Sequence, residues 1–227
     1  MNDDEEPTEK LDEDSIVTDT TNSSDYFPNT LLALGDSYTI GQNVDPAETW
    51  PAQLTENLVG LGYIVEPVII ARTGWTTLNL KQAIEDFEYK DAHFGAVGLL
   101  IGVNNQFQGL NIENYETEFI DLLNTAIDMA GGFKNHVFVL SIPDYGYTPF
   151  GASNKSQISM EIDEFNEVNK RVSDSIGVQY FNITEISRRA ETNPALLAND
   201  QLHPSGLMYE RWVELIQPWY TALLDEG

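Results

Sequence analysis

Residues 30–41 read Thr30-Leu31-Leu32-Ala33-Leu34-Gly35-Asp36-Ser37-Tyr38-Thr39-Ile40-Gly41. The continuous apolar run Thr30–Leu34 fits a strand buried on both faces, and such strands belong to parallel sheets covered by helices. The run stops at once in Gly35, and a second glycine follows at Gly41. Glycines there permit a tight turn, so Ser37 stands just past the carboxyl end of a buried strand. A nucleophile would be exposed at such a place. A helix-capping serine would also fit, since serine favours helix starts.

The same rhythm continues outward. Candidate strands follow at Ile64–Ala71, Val97–Ile101, Val137–Ser141 and Val178–Phe181, with helical patterns over 48–60, 76–87, 113–130, 158–176 and 206–224. In 113–130, Tyr115, Phe119, Leu122, Leu123, Ala126, Ile127 and Ala130 recur at steps of three and four, with acids between them. That spacing gives one apolar helical face, and Gly131-Gly132 ends it. Five short strands interleaved with helices predict an α/β fold with an open, mainly parallel sheet covered on both faces. No internal repeat and no second core is visible, so 29–227 reads as one domain.

Charge narrows the function. The 227 residues carry 37 Asp and Glu against 11 Lys and Arg, a net charge of -26. Binding nucleic acid or an anionic membrane needs clustered cations that this chain lacks. No apolar run approaches the roughly 20 residues of a transmembrane helix. With no cysteine, disulfides, thiolate metal sites and a cysteine nucleophile are excluded. The acidity is uneven, because residues 1–26 hold ten acids and one base. Residues 1–28 therefore read as an acidic linker. The linker is either a solubilising tail or the start of an exported protein. It resembles the tether region of bacterial surface lipoproteins, which would place the chain in the periplasm or at the cell surface. A cytoplasmic location is the alternative.

Three further strand ends carry polar chemistry. Near the carboxyl terminus stands Asn199-Asp200-Gln201-Leu202-His203-Pro204-Ser205-Gly206. A serine nucleophile needs an imidazole to take its proton and a carboxylate to orient that imidazole, and His203 and Asp200 would supply both. The other histidines, His93 and His136, have no comparable setting. The second strand leads to Arg72-Thr73-Gly74-Trp75, and the third to Gly102-Val103-Asn104-Asn105. Acyl transfer needs donors aimed at a developing oxyanion. The Gly74 N–H and the Asn104 amide would serve. No G-x-S-x-G elbow, G-x-G-x-x-G or G-x-x-x-x-G-K-[ST] motif occurs.

Together, Gly35-Asp36-Ser37, Gly74, Gly102-x-Asn104 and Asp200-x-x-His203-Pro204 resemble the four blocks of the SGNH (GDSL) hydrolases. The resemblance spans residues 31–206. It implies a three-layer α/β/α, flavodoxin-like doubly wound sheet and ester hydrolysis through an acyl-serine. It assigns Ser37 as nucleophile, His203 as base and Asp200 as the residue orienting it. The N–H groups of Ser37 and Gly74 and the Asn104 side chain would form the oxyanion hole. No metal or cofactor is implied. Tyr38 replaces the family's leucine, and Asn105 its usual aspartate, which puts that loop's hydrogen bonding in question.

For the substrate pocket, the candidates are Tyr38, Trp75, Asn105, Phe107, Tyr145 and Tyr147, the last two from the aromatic loop 143–150. Such rings line acyl pockets or stack on sugars. The expected substrate is a small ester with a short acyl or acetyl group. A carbohydrate acetylesterase, and a lysophospholipase or thioesterase, are alternatives. A non-catalytic ligand-binding module is a further rival, although Ser37, Asp200 and His203 are all present.

Overall fold

The computed structural model describes residues 25–226. Most of the acidic segment 1–28, with the export reading that rests on it, lies outside the described residues. Strand β1 (Tyr26–Gly35) begins four residues before the apolar run at Thr30. Its amino-terminal part, mostly exposed and containing Pro28, pairs with His93 and Phe94, and the register shifts between Phe27 and Leu31. This extension has tertiary pairing behind it and no hydrophobic run.

The other strands are β2 (Glu66–Ala71), β3 (His93–Leu100), β4 (Val137–Leu140) and β5 (Gln179–Phe181). Ile64, read as the start of the second strand, is exposed and precedes it. His93, read as lying before the third strand, opens it. The sheet order is β2-β1-β3-β4-β5, and every pairing is parallel. The chain thus winds outward from β1 in both directions, and the order reverses between β1 and β3. In doubly wound sheets that switch point, at the carboxyl ends of the strands, is where ligands bind.

Among the described residues, five longer helices cover the sheet. Among α2 (Trp50–Gly60), α3 (Thr77–Glu85), α5 (Ile112–Met129), α6 (Lys155–Ile176) and α8 (Gly206–Asp225), α2 packs with α8, and α5 packs with both α3 and α6. All seven apolar positions expected of α5 are buried, and Asn111 caps its first turn. Helix α6 starts at Lys155, before the expected 158, because a 3₁₀ turn at Ala152–Asn154 runs into it. Three short helices, α1 (Ser37–Ile40), α4 (Val103–Phe107) and α7 (Thr184–Arg188), follow β1, β3 and β5. Leu31–Leu34 of β1 and Val137–Leu140 of β4 are fully enclosed, at the centre of one continuous core.

Candidate active site

The turn after β1 is built around Asp36. Its Oδ1 accepts a hydrogen bond from the Tyr38 N–H at 3.0 Å and so caps α1. Ser37 is thereby the first residue of the helix, and the capping role that a serine there would otherwise fill belongs to Asp36. Its N–H has no partner among the described residues, as expected of a helix's first turn.

A second N–H comes from Gly74, at the turn after β2. Gly74 has φ +85°, and a Cβ there would meet nothing within 4 Å among the described residues. The requirement for glycine is therefore conformational. The Gly74 N–H is likewise unpartnered among the described residues. Asn104, in α4 at the end of β3, donates one amide hydrogen to the Trp75 carbonyl at 2.9 Å, which leaves the other free. Gly102 introduces this helix at φ +130°, where a Cβ would strike the Tyr115 hydroxyl at 2.5 Å and Ile142 at 2.7 Å. Only glycine lets the chain turn so close to the core.

His203 and Asp200 share one closed turn. An isolated antiparallel bridge joins Leu197 to Pro204, the Ala198 N–H donates to the His203 carbonyl at 2.8 Å, and Gln201 adopts φ +58°. Asp200 Oδ1 accepts from the N–H groups of Leu202 and His203, each at 3.0 Å. Its Oδ2 lies 2.6 Å from His203 Nδ1 and also accepts from the Asn43 amide. Burial opposes the charge on Asp200, but the His203 side chain, the two backbone donors and Asn43 outweigh it and hold the pKa at about 2. An ionised carboxylate at Nδ1 selects the tautomer whose Nε2 lone pair is free to accept a proton.

Ser37, Gly74, Asn104 and His203 line one cavity of about 160 Å³, completed by Tyr38, Thr73, Val103, Phe107, Tyr145, Phe150 and Leu202. No hydrogen bond joins Ser37 Oγ to His203 among the described residues. Tyr38 is buried and meets the His203 ring edge-on, with centroids 5.7 Å apart. The tyrosine in place of the family's leucine thus supports the imidazole directly.

Of the expected pocket residues, Tyr38, Phe107 and Tyr145 line the cavity, and three do not. Trp75 packs against the core and offers its carbonyl to Asn104. Asn105 is buried, accepts from the Thr77 N–H at 3.0 Å and donates to the Thr77 hydroxyl at 2.6 Å. It ties the loop after β3 to the start of α3, and this is how the loop is held without the family's aspartate. Tyr147 lies beneath the Lys155 ammonium, 3.7 Å from its ring centroid. Phe150, in the aromatic loop, and Asn43, behind Asp200, were not singled out in the sequence. Asn43 has a left-handed φ of +65° and lies 157 residues from its partner. Its only sequence signal is that asparagine tolerates this conformation.

The sequence model of the GDSL-like Lipase/Acylhydrolase family matches residues 33–211. Similar solved structures include TesA, with 20% identity, coverage of 86% of this chain and 99% of that one, and a TM-score of 0.66. An acetyl xylan esterase from Geobacillus stearothermophilus shares 18% identity, covers 86% and 96% of the two chains, and has a TM-score of 0.66. The psychrotrophic esterase EstA from Pseudoalteromonas sp., solved with monoethylphosphonate as inhibitor, shares 18% identity over 87% of this chain and 97% of its own, at a TM-score of 0.56. At these identities the structures establish a shared fold. No curated protein sequence matches the chain.

Proposed function

This chain belongs to the GDSL-like lipase/acylhydrolase family and is an ester hydrolase; from that premise we propose that it cleaves small carboxylic esters of short acyl groups through a Ser37-His203-Asp200 triad. The observation that carries the reading is the 2.6 Å contact between Asp200 and His203 beside the cavity that Ser37 lines.

Ser37 Oγ attacks the acyl carbonyl while its proton passes to His203 Nε2. The oxyanion that forms accepts from the Ser37 and Gly74 N–H groups and from the free hydrogen of the Asn104 amide. His203 returns the proton to the leaving alcohol oxygen as the C–O bond breaks, which leaves acyl-Ser37. Water then attacks the acyl-enzyme by the same route, and the carboxylic acid departs with Ser37 Oγ reprotonated. Asp200 stays ionised throughout and stabilises the imidazolium.

A short acyl group is favoured by size and by lining. An apolar cavity of roughly 150 Å³ accommodates about one benzene-sized group, and the cavity here is of that order and lined largely by apolar side chains. Ser37→Ala should lower kcat on p-nitrophenyl acetate by at least about a thousandfold, the scale of loss when a triad nucleophile is removed, with an unchanged melting curve. Near-normal hydrolysis by that folded variant would overturn the assignment. Wild-type rates that fall from acetate to octanoate ester are expected from the cavity's size.

A further inference from the structure

A second groove, of about 360 Å³, opens beside the catalytic cavity and shares Phe107, Tyr145 and Phe150 with it. The three rings stand together, with centroids 6.1 to 6.3 Å apart. Phe107 and Phe150 are more than half exposed, at 59% and 54%. Two large rings left in water at the mouth of a site offer an apolar face for a ligand.

The other side of the groove is polar. Glu161, Gln106 and Gln157 line it, together with Ser153 and Asn154. Glu161 Oε2 accepts from the Gln106 amide at 2.6 Å, and its Oε1 accepts from the Gln157 amide. Gln106 itself is buried. The carboxylate is therefore held in one plane by two donors. A carboxylate has about four lone-pair sites, so each oxygen can accept one more hydrogen bond.

We propose that this groove is the subsite for the alcohol side of the ester, and that the alcohol is a neutral sugar or similar polyol. A pyranose has a C–H face to lay on Phe107 and Phe150 and adjacent hydroxyls to donate to Glu161. No Lys or Arg among the described residues lines the groove, so a phosphate headgroup would meet a carboxylate with no cation there to offset the repulsion. A long acyl chain would have to desolvate Glu161 and two amides without replacing their hydrogen bonds with water. The substrate class that fits is an O-acylated carbohydrate with a small acyl group. The inference rests on Ser37 and His203 acting as proposed above, because the groove has meaning as an alcohol subsite only beside the acyl-serine.

The test compares kcat/KM for a methyl glucoside monoacetate, ethyl acetate, lysophosphatidylcholine and the thioester S-butyryl-N-acetylcysteamine. The glucoside ester should exceed ethyl acetate by at least about tenfold, the discrimination that a few added polar and apolar contacts supply, and it should exceed the other two as well. Glu161→Gln and Phe150→Ala should each reduce that preference about tenfold, mainly through KM, with melting curves recorded for both. Equal rates on the glucoside ester and ethyl acetate, or a preference for the phospholipid or the thioester, would overturn the subsite while the Ser37→Ala result left the esterase reading standing. Retention of glucoside-ester hydrolysis by folded Ser37→Ala protein would overturn both.

Discussion

Asp36 sits one residue before Ser37, the proposed nucleophile, and is wholly enclosed. Its Oδ1 caps α1, and Oδ2 has no hydrogen-bond partner among the described residues. Burial pushes its pKa up from 3.8 to about 7, against the opposing pull of the Tyr38 N–H and its own. Between these two values the folded chain holds a proton that the unfolded chain has released. The contribution is therefore fully present below about pH 4 and is lost as pH rises through about 7. Asp36→Asn keeps an acceptor for the Tyr38 N–H and cannot ionise. Relative to wild type it should gain stability from pH 4 to about pH 7 and level off above that, by up to roughly 4 kcal/mol for a shift of about three units. Urea midpoints at pH 4, 6 and 8 measure the difference, and parallel wild-type and variant profiles would refute the account. At this scale, what was legible in the sequence was what a short motif fixes. Gly35-Asp36-Ser37, Gly74, Asn104 and Asp200-x-x-His203 each carry their chemistry within a few residues. Asn43 and Phe150 matter through partners that only the fold brings near.

Elements follow the same division. Helix α5 was legible because its apolar stripe repeats over 18 residues, long enough for a 3.6-residue period to stand out. Helices α4 and α7 have five residues each, little more than one turn, and show no period. The start of α7 is fixed by tertiary contact, since the Thr184 N–H and hydroxyl both donate to the Ser141 hydroxyl, at 3.0 and 2.8 Å. From the end of this helix Arg188 reaches three carboxylates: Asp144 at 3.0 Å, Asp163 at 2.5 Å and Glu185 at 2.7 Å. The latter two are exposed and contribute little. Asp144 is fully enclosed, accepts from the Gly146 N–H at 2.9 Å, and opens the loop that carries Tyr145 into the cavity. Arg188→Leu would leave that carboxylate buried without its cation, which costs about 3–5 kcal/mol. Adding Asp144→Asn to that variant should recover much of the loss. Guanidinium denaturation of the two variants measures this, and a single variant within 1 kcal/mol of wild type would show that the pair does not hold the loop.

At the scale of the molecule, the sequence pattern marks five apolar strands but not their neighbours, because an apolar run has no signature of which strand it pairs with, and the edge strands β2 and β5 are only partly buried. The order β2-β1-β3-β4-β5 was implied by the family resemblance and not by periodicity. The charge was legible throughout, and among the described residues most acids have no basic partner. Lys81, Lys90, Lys155, Lys170, Arg171, Arg188 and Arg211 are already paired with acids. These seven account for most of the 11 basic residues, against 37 acids. Salt screens both the pairs and the repulsion. The exposed pairs contribute at most about 1 kcal/mol each, whereas each unpaired acid repels many others over the screening length. That length shrinks from about 30 Å at 0.01 M to about 8 Å at 0.15 M ionic strength. At 0.01 M it spans most of a domain this size; at 0.15 M it reaches only near neighbours. Relief of repulsion should therefore outweigh the weakening of the pairs. With roughly 2–4 °C of melting temperature per kcal/mol for a chain of this length, Tm should rise by about 4 °C between the two conditions. NaCl and KCl should act equally, because screening depends on ionic strength and not on which cation supplies it. A Tm that stays flat or falls would mean that the surface pairs hold more of the stability than the net charge removes.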